Sequence, residues 1–146
     1  ENYIFNRGVP PTICIELSKL CNLSCNFCRS ESSPFEKKNI EFDSLSKFLI
    51  KIKKIGDWRI SLTGGEPTLW KDLIQLIELI NYLGFNYCIT TNGFSSQNFF
   101  SKLSTKHLEK STVKVSLDGN KEIHNYLNYS PFLGPLLDIV KYKSSS

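Results

Sequence analysis

The chain has 146 residues, 40% of them apolar and 22% charged, which places it among ordinary globular domains and excludes the disordered class. A formal charge of +4, with lysines scattered among acids, gives no basic stripe for nucleic acid, and no apolar run reaches a membrane span. The opening "ENYIFNRGVPPTICIEL" lacks both the basic and the apolar part of a secretory signal, so a cytoplasmic protein with reduced thiols is expected. The absence of methionine and the trailing "KYKSSS" lead us to expect a piece of a longer chain.

Taken in chain order, a short β-branched run is followed four times by a helix-like stretch, the rhythm of βα units. The first strand is "TICIEL" (12–17), and a helix is expected over 43–55, with Asp43 or Ser44 as N-cap, Leu45, Phe48, Leu49 and Ile52 as its apolar stripe, and Gly56 as its stop. "WRISLT" (58–63) leads through "GGEP" to a second helix over 70–82, ending at Gly84. "YCITT" (87–91) precedes a third helix over 97–109, with His107 in its tail. "VKVSLD" (113–118) precedes a fourth helix over 132–142.

Period two sorts the strand residues into faces. Ile13, Ile15, Leu17, Ile60, Leu62, Val113, Val115 and Leu117 form an apolar face for the helices. Cys14, Glu16, Ser61, Thr63, Cys88, Thr90, Ser116 and Asp118 form the other, a face polar enough to line a wet cavity. If the strands are parallel, the polar ends "LSKLC", "LTGGEP", "TTNG" and "SLDG" share one carboxyl rim, where such sheets carry their chemistry.

The segment "CNLSCNFC" places Cys21, Cys25 and Cys28 within eight positions, too tight a spacing to dismiss. Buried thiols are one reading. Zinc is another, though the fourth-ligand candidates Cys14, Cys88, His107 and His124 lie on other elements without ligand spacing. A cluster held by three thiolates is the third; it leaves one iron open for a substrate or cofactor. "GGEP" taken alone is also a tight turn with Pro67 at the start of a helix, and "TTNG" alone is a turn.

With the C-x3-C-x2-C spacing and an aromatic before the third cysteine, followed in order by "GGEP", "TTNG" and "SLDG", the chain resembles the radical S-adenosylmethionine superfamily over about residues 12 to 119. The resemblance implies an α/β fold, a partial (βα) barrel with parallel strands, of which residues 1–146 hold the N-terminal part, about four units where the superfamily usually has six. It implies a 4Fe-4S cluster on Cys21, Cys25 and Cys28, and S-adenosylmethionine as the second cofactor, bound by Phe27 at the adenine, by Gly64, Gly65 and Glu66 at the ammonium, and by Ser116. Thr90, Asn92, Gly93 and Asp118 are further positions for that site. The implied activity is reductive cleavage to a 5'-deoxyadenosyl radical that abstracts hydrogen, with a flavodoxin- or ferredoxin-type electron donor. "SLDGNKEIH" resembles the peptide-modifying branch, which implies a peptide substrate, although Asn125 and Asn128 stand where that branch carries Asp and Arg. A barrel of four units calls for a partner or a further segment to complete it. A non-catalytic module binding a cluster or a peptide, and a zinc-stabilised domain, are the competing readings.

Overall fold

The computed structural model describes residues 10–94 and 99–117. Along them run β1 (Thr12–Glu16), α1 (Phe42–Lys53), β2 (Arg59–Thr63), α2 (Leu73–Tyr82), β3 (Asn86–Thr91), α3 (Thr105–Leu108) and β4 (Ser111–Val115), with a 3-10 turn at Pro67–Leu69 before α2. The four strands form one sheet in the order β1-β2-β3-β4, and every neighbouring pair is parallel. All carboxyl ends therefore point to one rim, as expected.

The register explains the two faces. Ile15, Leu62, Ile89 and Val113 lie side by side across the four strands, and Cys14, Ser61, Cys88 and Thr112 form the equivalent row on the other face. Against the apolar face pack Leu45, Leu49 and Ile52 of α1 and Leu73, Leu76, Ile77 and Ile80 of α2, all buried. Each such side chain removed from water stabilises the fold by about 1.5–3 kcal/mol, so this layer fixes the sheet that carries the rim. Gly84 closes α2 with φ +76°, and the Phe85 N–H reaches back to the Ile80 carbonyl at 3.1 Å, a helix stop that only a residue tolerant of positive φ allows.

Several expectations are corrected. Helix α1 starts at Phe42 with Glu41 at the N-cap and no side-chain cap, so neither Asp43 nor Ser44 caps it, and Phe48 lies 43% exposed outside the buried stripe. The helix expected over 97–109 is broken: Lys102 and Leu103 donate to Phe99 and Phe100 in turn geometry, and α3 begins afresh after Ser104. His107, third of the four residues of α3, consequently lies in its first turn as well as its last. Its Nδ1 accepts from the Ser104 N–H at 3.0 Å, the histidine version of a capping box. Strand β4 ends at Val115 and leaves Leu117 53% exposed, so that residue does not face the helices. The fourth helix (132–142), His124 and Asp118 lie outside the described residues.

Candidate functional site at the carboxyl rim

The rim is built where the chain leaving β1 and the turn leaving β2 run against each other. The Leu17 N–H donates to the Thr63 carbonyl at 2.9 Å, then the Gly65 N–H to Ser18 at 2.7 Å and the Glu66 N–H to Leu20 at 2.9 Å. Gly64 has φ +126°, and a Cβ there would sit 2.4 Å from the Ser18 oxygen; one on Gly65 would sit 2.1 Å from the Leu20 oxygen. Side chains at either position would collide with main chain. The glycine pair is thus demanded by the backbone that delivers Cys21, a reason beyond the approach of a ligand.

The cysteine loop has a fixed neck and a looser crown. Cys21 N–H donates to the Ser33 carbonyl at 3.1 Å, and Ser33 N–H to the Lys19 carbonyl at 3.2 Å. Within the loop the Cys28 N–H turns back to Cys25 at 3.2 Å and the Glu31 N–H to Cys28 at 3.1 Å, with Glu31 at φ +50°. Main-chain donors aim at two of the sulfurs: Leu23 N–H lies 3.4 Å from Cys21 Sγ, and Ser32 N–H 3.3 Å from Cys28 Sγ. Cys21 is 8% exposed, while Cys25 and Cys28 are half-buried. Burial pushes the Cys21 thiol up, and the nearby Glu66 carboxylate adds to this, while the Leu23 and Asn92 donors pull the other way.

Glu66, 1% exposed, holds the neighbouring strand ends. Its Oε1 accepts from Thr68 N–H at 3.2 Å, Thr68 Oγ1 at 2.6 Å and Thr91 Oγ1 at 2.7 Å; its Oε2 accepts from Asn92 N–H at 2.8 Å. These four bonds offset the cost of burying a carboxyl group away from water. Most of its accepting capacity is taken by this chain, and the remainder lies on Oε2.

Between these parts opens a cleft of about 270 Å³. Cys21, Cys25 and Cys28 line it together with Gly64 and Gly65. Phe27, half-exposed, stands among the cysteines, and Thr90, Asn92 and Ser116 come from the ends of β3 and β4. Glu66 braces the floor from behind. Ser116 is tied to β3 by its N–H, 2.9 Å from the Thr91 carbonyl. Gly93, at φ +79°, donates its N–H to Thr91 Oγ1 at 3.0 Å and belongs to the same turn. Of the expected site residues described, the structure brings the three cysteines, Phe27, Gly64, Gly65, Thr90, Asn92 and Ser116 to this cleft, while Glu66 and Gly93 support it without lining it. Three residues went unnoticed in the sequence: Thr91, which anchors Glu66; Asn22, whose Oδ1 accepts from Asn92 Nδ2 at 2.9 Å; and Arg29, the one cation lining the cleft among the described residues. A buried carboxylate needs donors, and a threonine on the apolar side of a strand was the signal for one.

No group of three or more His, Cys, Asp or Glu side chains among the described residues is arranged to hold a single metal ion. The donor set suits a cluster better: three thiols line one cleft, and main-chain N–H groups point at two of the sulfurs, as they do where thiolates ligate iron-sulfur clusters.

A sulfur-rich loop and a glycine-acid turn meeting on the rim of a parallel α/β sheet define a cofactor-binding core. The chain matches the Radical SAM superfamily model over residues 15–142, and it belongs to that superfamily, whose cofactors are S-adenosylmethionine and a 4Fe-4S cluster. A probable GTP 3',8-cyclase of Pyrococcus abyssi is 30% identical over 104 residues, 71% of this chain and 33% of the relative. Streptococcus suis SuiB bound to S-adenosylmethionine superposes with a TM-score of 0.71 at 24% identity, over 91% of this chain and 31% of that one. SuiB bound to its precursor peptide SuiA gives 0.72 at 23%, over 91% and 30%. These likenesses are of fold, and they bear out the partial-barrel expectation. The chain spans about a third of the length of the relative and of SuiB. No helix among the described residues is long and apolar enough to cross a membrane.

Proposed function

We propose that residues 1–146 form the N-terminal part of a radical SAM core whose enzyme reductively cleaves S-adenosylmethionine and abstracts hydrogen from its substrate. The observation that carries this reading is the single cleft lined by Cys21, Cys25 and Cys28 and by Gly64, Gly65 and Ser116. Bound there, the cluster and S-adenosylmethionine supply an electron and a 5'-deoxyadenosyl radical, chemistry for which side chains have no reagent. The protein's own part is placement. The three cysteines would hold the iron, the Gly64–Gly65 turn, braced by the buried Glu66, would offer carbonyls to an ammonium, Phe27 would give a flat apolar surface for a base, and Ser116 a hydroxyl at the edge. A flavodoxin- or ferredoxin-type electron donor would find Cys25 and Cys28 the more accessible of the three cysteines.

For the substrate we propose a peptide. The names of the curated relatives favour a nucleotide, and SuiB with its precursor peptide favours a peptide. Charge supports the peptide: a triphosphate calls for several cations, whereas Arg29 alone lines the cleft among the described residues and the Cys14–Ser61–Cys88–Thr112 row is uncharged. The activity is tested by anaerobic reconstitution with iron and sulfide, then dithionite and S-adenosylmethionine, with 5'-deoxyadenosine as the expected product. An intact cluster that yields none contradicts the enzyme reading. Calorimetric titration with GTP should show no binding; micromolar binding would replace the peptide by a nucleotide.

A further inference from the structure

We infer that Asn92 is a positioning residue for the cluster, acting through Cys21; the inference rests on the cluster reading above. Asn92 Oδ1 accepts the Phe94 N–H at 2.9 Å, a side-chain turn that Asp would make equally well. That bond fixes which end of the amide is nitrogen. Nδ2 then faces the cysteine loop, with one contact to Asn22 Oδ1 at 2.9 Å and another to Cys21 Sγ at 3.6 Å, across 71 residues of sequence. Two amide hydrogens serve two acceptors, a pair of bonds no other small residue provides. The main-chain N–H of the same residue donates to Glu66 Oε2 at 2.8 Å.

Asn92 thereby links the end of β3, the buried Glu66 and the first cysteine of the loop. Its amide holds the Cys21 sulfur at a set distance from the glycine turn. A hydrogen bond to a ligating sulfur withdraws electron density and favours the reduced cluster, so the amide raises the reduction potential. The need for an amide here, where any turn residue would otherwise serve, is what the geometry explains.

The test uses Asn92→Ser, which keeps a short turn-forming oxygen but cannot reach the sulfur, and Asn92→Asp, which keeps the turn and removes the donor. Midpoint potentials are read by spectroscopic redox titration of the reconstituted proteins, with iron and sulfide counted. Both variants should retain the wild-type content and shift to more negative potential, Asp further than Ser because it adds a charge. In the apoprotein, mass-spectrometric mapping should find Cys21 alkylated several-fold more slowly in Asn92→Ser, because the donor that favours its reactive thiolate is gone, with Cys88 unchanged. Wild-type potentials, or a wild-type alkylation rate at Cys21, would overturn the inference. Failure of the wild-type chain to take up iron and sulfide would instead overturn the cluster reading, and the alkylation rates then decide the role of Asn92 alone.

Discussion

On one side of the cleft, Gly64, Gly65 and Glu66 are locked by main-chain bonds to Ser18 and Leu20 and by four bonds to the buried carboxylate. On the other, Cys25 and Cys28 are half-buried and Phe27 is 52% exposed. The glycine-acid side is complete in the protein alone, whereas the cysteine crown lacks the burial that would hold it. Binding energy at the crown therefore goes into ordering the loop, and the rigid side serves as the reference against which the cofactor is placed.

Substitutions should separate the two sides in the apoprotein. The largest loss is expected for Gly65→Ala, whose Cβ would meet the Leu20 carbonyl at 2.1 Å; the urea midpoint should fall by an equivalent of about 3 kcal/mol or more. Glu66→Gln comes next. Its amide nitrogen must face one of the present donors, so about 2 kcal/mol is lost and affinity for S-adenosylmethionine falls with it.

Tyr87, on the far side of the sheet from the rim and fully buried, gives a milder reference. Its hydroxyl donates to the His107 carbonyl, and Tyr87→Phe should cost about 1 kcal/mol at pH 7. Burial pushes the Tyr87 hydroxyl up from 10 to about 12. A folded-state value above the unfolded one contributes stability below pH 10 that is lost as pH rises toward about 12, so the wild-type advantage over Phe in urea should shrink across that window. The smallest effect on folding is expected for Cys25→Ala, within about 0.5 kcal/mol, although cluster assembly should be abolished. A large loss of apoprotein stability in Cys25→Ala would erase the contrast between the two sides.

Much of this arrangement was legible in the residues. Period two placed Ile15, Ile60 and Leu62 against the helices, and the polar strand ends marked the rim. The role of Thr91 was hidden by the same rule, because alternation put it on the core side, where a hydroxyl has no evident use until Glu66 is seen beneath it. The glycine pair was legible as close approach, but its partner was not, since the contact with Ser18 and Leu20 is made across the sheet. The third helix failed for a local reason: Ser104 and His107 cap one another, and apolar spacing around them does not reveal a restart.

The central claim is that Cys21, Cys25 and Cys28 share one cluster opposite a preformed glycine-acid turn. Elemental analysis of the anaerobically reconstituted chain tests it most directly. About four iron and four acid-labile sulfide per chain are expected, falling to background in Cys21→Ala, Cys25→Ala and Cys28→Ala. One equivalent of zinc without sulfide, or an unchanged iron content in any of the three variants, would contradict it.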